Sequence, residues 1–250
     1  MNFFVVLNGK ALKNVVLILV AAFFTAWFLY IENMTQIPVF STKDGPKAVF
    51  HGEKGVALTF NIGWGDEKAE PILDTLKKEN VKAATFFLAG SWAERHPDIV
   101  ARIVKEDYEI GILGYNYEDY TELEDAKIGQ DIAKAREAFG KLNVKDIKVL
   151  RAPTGHFDER TLKIAKRYGY TVVHWSVDSK DWQNPGVERI VKNVKKADNG
   201  AIVLLHASDS AKQTERALPL LLQGINKKGL QLVTVSEMIA NSDVRSKEIK

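Results

Sequence analysis

Cysteine is absent from this 250-residue chain. Disulfides and cysteine-based zinc sites are therefore excluded, and redox chemistry says nothing about compartment. Clustered positive charge is missing as well: the net charge is only +3, so nucleic acid is not an expected partner. Nor is there the compositional bias of a disordered chain. With 46% hydrophobic and 27% charged residues, the chain is globular and long enough for one large core. Histidine is scarce, at positions 51, 96, 156, 174 and 206. Few side chains can therefore switch charge near neutral pH.

Charge is also missing from residues 15–31, where Thr25 is the one polar side chain. As a helix this run spans roughly 25 Å, slightly short of a hydrocarbon core of about 30 Å. Lys10 and Lys13 precede it and Glu32 follows, with Trp27 and Tyr30 at the far end. That asymmetry predicts a membrane anchor with the rest of the chain on the extracytoplasmic side. A cleaved signal peptide is the rival reading. It lacks support because residues 27–31 contain no small-x-small exit. A buried core helix is the plain alternative, weakened because no face of this segment is polar. The expected organisation is an anchor over 1–33, a turn-rich linker over 34–54, a folded domain over 55–240 and a polar tail over 241–250.

Within 55–240, short apolar runs alternate with amphipathic helical spacing. Strands are expected at 55–60, 83–88, 109–113, 148–150, 170–176, 200–205 and 230–233. Helices are expected at 68–80, from 97, from a capping box at Thr121–Glu124 to about Leu142, at 161–168 behind Asp158, across 187–194, at 212–225 and at 236–240. This order predicts an α/β fold: a parallel sheet closed or nearly closed into a (β/α) barrel of seven or eight units. A doubly wound open sheet is the alternative, but it would gather its chemistry at one switch point. Here polar residues recur after five strands, at Asn61, at Tyr115 and Tyr117, at Arg151, at Asp178 and Asp181, and at His206. Strand C-terminal ends are where such barrels do chemistry.

These residues, in this order, resemble the polysaccharide deacetylase family (NodB-homology, carbohydrate esterase 4), over about 48–240. The stretch Leu58–Glu67 is similar to its sporulation-associated PdaB branch in bacilli. The resemblance implies a distorted (β/α) barrel that removes acetyl groups from N-acetylated sugars such as peptidoglycan, using a divalent metal such as zinc. The family motif Thr-Phe-Asp-Asp-Gly falls on Thr59–Gly63. Its general-base Asp is Asn61 here and its metal-binding Asp is Ile62. The two His ligands of the second motif fall on Leu113 and Tyr117. Arg151 and Pro153 match the third motif, with Thr154 where an aromatic is common. Asp178–Trp182 matches Asp-Ser-x-Asp-Trp, and Leu204 with His206 matches the last.

What the resemblance implies is a cup that keeps its acid half and loses its metal half. The expected catalytic group is His206 as general acid, oriented by Asp181 (less favourably by Asp178), with Arg151 holding Asn61. The backbone N–H of Thr154 is a candidate oxyanion donor. Trp64, Trp182, Tyr115, Tyr117, Pro153 and Thr154 are candidate substrate contacts, since exposed rings suit sugar faces; core packing is the plain alternative for each ring. Asp66 and Glu67 are expected to cap the following helix, with a displaced base as the alternative. No resident metal is expected. The partners expected are N-acetylated wall glycan and, through the anchor, a membrane. Two functions remain open: amide hydrolysis at a rebuilt site, and non-catalytic glycan binding or wall assembly on the same fold.

Overall fold

The computed structural model describes residues 19–20, 22–25, 41–42, 45–240 and 245–247. The chain forms two units, 1–38 and 39–250. In the first, the described residues 19–20 and 22–25 are helical. Most of the expected anchor, including Lys10, Lys13, Trp27, Tyr30 and Glu32, lies outside the described residues. Among the described residues no helix is long and apolar enough to cross a membrane.

The second unit is built on parallel strands: β4 (Val56–Ile62), β5 (Thr85–Leu88), β6 (Glu109–Ile112), β7 (Val149–Leu150), β8 (Thr171–Val172), β9 (Val177–Asp178) and β10 (Ala201–His206). Adjacent pairs from β10 through β4, β5, β6 and β7 to β8 are all parallel, and β9 pairs with β10. Strands β4 and β5 are buried throughout, as expected for a parallel sheet covered by helices. The helices are α1 (Ala69–Lys78), α2 (Gly90–Arg95), α3 (Pro97–Lys105), α4 (Asp125–Lys141), α5 (Glu159–Arg167), α6 (Val187–Val194), α7 (Thr214–Lys227) and α8 (Val235–Ala240). Each amphipathic helix turns an apolar stripe to the sheet, such as Ile72, Leu73 and Leu76 of α1.

Closure comes from a segment read in the sequence as linker. Ala48 and Val49 are fully buried, and β3 (Ala48–His51) pairs antiparallel with β10. Val49 also forms a parallel bridge to Val173, just past β8, so one short strand joins the two sides of the sheet. The fold is a nearly closed α/β barrel. Two short strands, β1 (Ser41–Thr42) and β2 (Gly45–Pro46), pair ahead of it. Within the expected polar tail, β11 (Arg245–Lys247) pairs antiparallel with β3; 241–244 and 248–250 lie outside the described residues.

Other differences have local causes. The run at 230–233 forms a single bridge, Leu232 to Val56, instead of a strand. The capping box at Thr121 is not made. Asp119 instead accepts from Thr121 N in a 3-10 turn (Tyr120–Glu122), and α4 starts at Asp125 without a side-chain cap. Asp158 caps α5 as expected, accepting from Thr161 N at 2.9 Å.

Candidate active-site cup

The C-terminal ends of β4 and β10 place Asn61 opposite His206 in register. Partnered residues of parallel strands lie about 4.8 Å apart and project to the same face. Arg151 enters from the end of β7. Its Nη1 donates to Thr59 Oγ1 at 2.9 Å and to Asn61 Oδ1 at 2.8 Å; Nη2 donates to His174 O and Nε to Val173 O. The guanidinium lies 4.0 Å from the centre of the Phe87 ring. Arg151 is only 1% exposed, and every one of these acceptors is neutral. Burial pulls its pKa down to about 9, against an opposing effect from Tyr117. Since Asn61 turns its oxygen to Arg151, its amide N–H₂ is left for the cup.

On the other side, Asp181 is fully buried in the turn after β9 and accepts four hydrogen bonds. They come from Trp182 N, Thr214 Oγ1, His206 N and His206 Nδ1, the last at 2.8 Å. The imidazole is therefore clamped through Nδ1, which frees Nε2 (12% of the His206 side chain is exposed). Asp178 does something different. It accepts from Lys180 N and shapes its own loop.

Ile62 and Leu113 are fully buried and carry no donor atoms. Tyr117 sits at φ 63°, left-handed and uncommon for an aromatic residue. Its ring lies flat enough on Gly63 that a Cβ there would come within 2.7 Å of it. Burial pushes the Tyr117 phenol up, and the charge of Arg151 only partly opposes this. Among the described residues, no three His, Asp or Glu side chains are grouped so as to hold a metal ion.

Trp64 and Trp182 are 51% and 48% exposed, on the loops after β4 and β9. Pro153 is buried, and Thr154, at φ 61°, is exposed with its hydroxyl on Asp119. Asp119 also takes hydrogen bonds from Thr121 and His156. Burial alone would raise its carboxyl, but these bonds bring it down to about 2. Tyr115 is drawn away from the centre: its hydroxyl donates to Glu94, and Lys134 covers its ring. Asp66 pairs with His96, which stacks on Trp92.

One positioning residue escaped the sequence reading. Asp209, after β10, accepts from the backbone N–H groups of Asp66, Glu67 and Lys68. Burial would raise its carboxyl, but these bonds and Lys68 hold it below the usual range. It thereby takes the capping role expected of Asp66 and Glu67 and ties the Trp64 loop to the His206 loop. Gly65 permits this at φ 100°, with Asp209 where a Cβ would stand. A lone Asp three residues past the His gave no local signal, because its partners are some 140 residues away.

Beneath Arg151, His174 is wedged among Phe50, Phe157 and Trp175. Burial lowers its pKa to about 4, only partly offset by a bond to Trp175 O. The unfolded chain takes up a proton near pH 6.5, and the folded chain does not. This contribution is intact above about pH 6.5 and is lost as pH falls toward 4, about 2 kcal/mol in all after discounting its partial exposure. Thermal midpoints of wild type and His174→Gln are expected to converge between pH 6.5 and 4.5. Parallel curves would refute this.

Comparison with known proteins agrees with the geometry. The model of the family described as polysaccharide deacetylase matches residues 49–173. A peptidoglycan-N-acetylglucosamine deacetylase of Bacillus cereus is 38% identical over 193 residues, which are 76% of this chain and 90% of that protein. Among solved structures, a CE4 family pseudoenzyme from Bacillus anthracis aligns with a TM-score of 0.72 at 29% identity, covering 78% of this chain and 69% of the other. A mutant of that pseudoenzyme, described as having restored enzymatic activity, aligns with a TM-score of 0.73, again at 29% identity, over 78% and 72% of the two chains.

Proposed function

The chain belongs to the polysaccharide deacetylase family, and we propose that its cup recognises N-acetylated peptidoglycan glycan without the metal-dependent hydrolysis usual in that family. The observation that carries this reading is Tyr117. Where the family motif supplies a His ligand, a half-buried phenol packs on Gly63. A catalytic zinc needs three protein ligands and an open position. Ile62 and Leu113 supply no donor, and Tyr117 could ligate only as a phenolate, from a pKa of about 10 that burial raises further. The residues present do not fit the metal. Without it a water keeps a pKa near ~15.7 instead of ~7. Asn61 cannot take a proton near neutral pH, which removes a further ~10²–10⁴-fold. The exposed rings of Trp64 and Trp182 remain as a sugar-stacking rim.

A second reading rests on the intact Asp181–His206 pair. With Nδ1 held by Asp181, Nε2 can move a proton to or from a water or a leaving amine. This would give slow, metal-free hydrolysis. One experiment separates the two. Peptidoglycan fragments are incubated with wild type and His206→Ala, and both binding and acetate release are measured. Equal background release with retained binding supports recognition alone; release lost in His206→Ala supports hydrolysis. Trp64→Ala or Trp182→Ala is expected to weaken binding about tenfold, and unchanged affinity in both would refute glycan recognition at this rim.

The same proposal places the barrel outside the cytoplasm, tethered through residues 15–31, on the charge asymmetry of Lys10, Lys13 and Glu32. A sporulation role, drawn from the likeness of Leu58–Glu67 to the PdaB branch, is part of this proposal too. Protease shaving of intact cells tests the placement, and expression timing tests the role.

A further inference from the structure

The two ends of the barrel carry opposite charge. In the loops after the strands, which build the cup, Asp and Glu outnumber Lys and Arg, with Asp66, Glu67, Glu118, Asp119 and Asp209 against Lys68, Arg151, Lys180 and Lys212. Loops leading into the strands lie at the other end, over 53–55, 77–84, 105–108, 141–148, 166–170 and 195–200, joined by 227–231 ahead of the Leu232 bridge to Val56. There Lys and Arg outnumber Asp and Glu, and most of the lysines are exposed. Helix dipoles favour this polarity in a mild form. They do not explain why apolar surface accompanies it.

Between α6 and α7, at this basic end, runs an open groove of about 530 Å³ lined by Val191, Val194, Leu221 and Ile225. Leu220, on its rim, is 48% exposed. Exposed Lys195, Lys227 and Lys228 surround it, with Glu188 as the one acidic lining residue. Lys228 is held in place by Lys195 O and Ala197 O. Lysines spread over successive loops make a broad basic face, unlike the narrow stripe that tracks a single polyanion strand. Apolar side chains set among lysines at one edge match the interface of an anionic bilayer, where headgroups take the ammonium groups and acyl chains take the apolar ones.

We propose that the strand-entry end of the barrel docks on an anionic lipid surface, which turns the acidic cup away from the membrane. This docking does not depend on what the cup does. Because residues 15–31 could bring the full chain to any bilayer, the test reads lysine protection and not binding. The full-length protein is mixed with phosphatidylglycerol-containing vesicles, with pure phosphatidylcholine vesicles, or with soluble polyphosphate. Acylation of individual lysines is followed by mass spectrometry. Protection of about fivefold or more is expected at Lys195, Lys196 and Lys227 with phosphatidylglycerol alone, with Lys127 and Lys180 at the cup end unprotected. It should vanish in 0.5 M salt, be lost at the remaining Lys227 in Lys195→Glu/Lys196→Glu, and weaken in Leu220→Gln. Equal protection by both lipids, protection by polyphosphate but not by lipid, or protection at the cup end would each overturn the proposal.

Discussion

Rebuilding the cup as Asn61→Asp, Ile62→Asp, Leu113→His and Tyr117→His is expected to give a protein that binds one zinc and releases acetate at least ~10²–10⁴-fold faster than wild type. The backbone is already suited to it. Ile62 pairs with Leu88 of β5 and Leu88 with Ile112 of β6, so positions 62 and 113 end strands only two spacings apart. Leu113 is fixed there by its N–H on Leu88 O. Tyr117 already holds a left-handed conformation, which His tolerates better than most residues. The Arg151 that the family uses to hold the base lies 2.8 Å from position 61.

The stability readout should move in opposite directions. An unpaired Asp at fully buried position 62 costs several kcal/mol, so the rebuilt protein should melt well below wild type in chelator. Zinc at a hundred times its dissociation constant should return about 2.7 kcal/mol. Keeping Tyr117 in an otherwise rebuilt protein should leave activity near background, because the ring still lies on Gly63. Tight zinc binding by wild type would refute the reading of this seat.

Arg151→Ala is expected to destabilise the barrel by about 3–5 kcal/mol, whereas Asn61→Asp should stabilise it by about 1–3 kcal/mol. A fully buried cation held only by a hydroxyl, an amide oxygen and two carbonyls is a charge without a counter-ion. Its removal strands Asn61 Oδ1 and two backbone carbonyls in a water-poor interior, while Thr59 Oγ1 keeps its bond to Val203 O. A carboxylate at position 61 would instead supply the missing opposite charge at hydrogen-bond distance. In a domain of this size the alanine variant should melt about 10 °C lower. Denaturant titration of both variants checks the pair. A destabilised Asn61→Asp would show that Arg151 is already compensated.

Much of the barrel was legible because buried parallel strands are nearly continuous apolar runs, and Phe60, Phe86 and Leu204 announced theirs. β3 was not, because only four residues of it pair and turn residues flank it; its membership depends on Val173, far along the chain. The arrangement of the cup was legible where a polar residue stands at or just past its own strand end, as Arg151 and His206 do. It was illegible where one loop holds another, as Asp209 holds the Trp64 loop and Glu94 draws Tyr115 aside.

Strand order has a consequence for biogenesis. β10, made long after β3 and β4, lies between them, and those two strands do not pair with each other. Both early strands therefore emerge with an open edge and wait some 140 residues for their shared neighbour. Such long-range pairing folds slowly, and the waiting edges invite association with other chains. A nascent chain stalled before Ala201 should recruit chaperones, and release should follow only when the sequence through His206 becomes available.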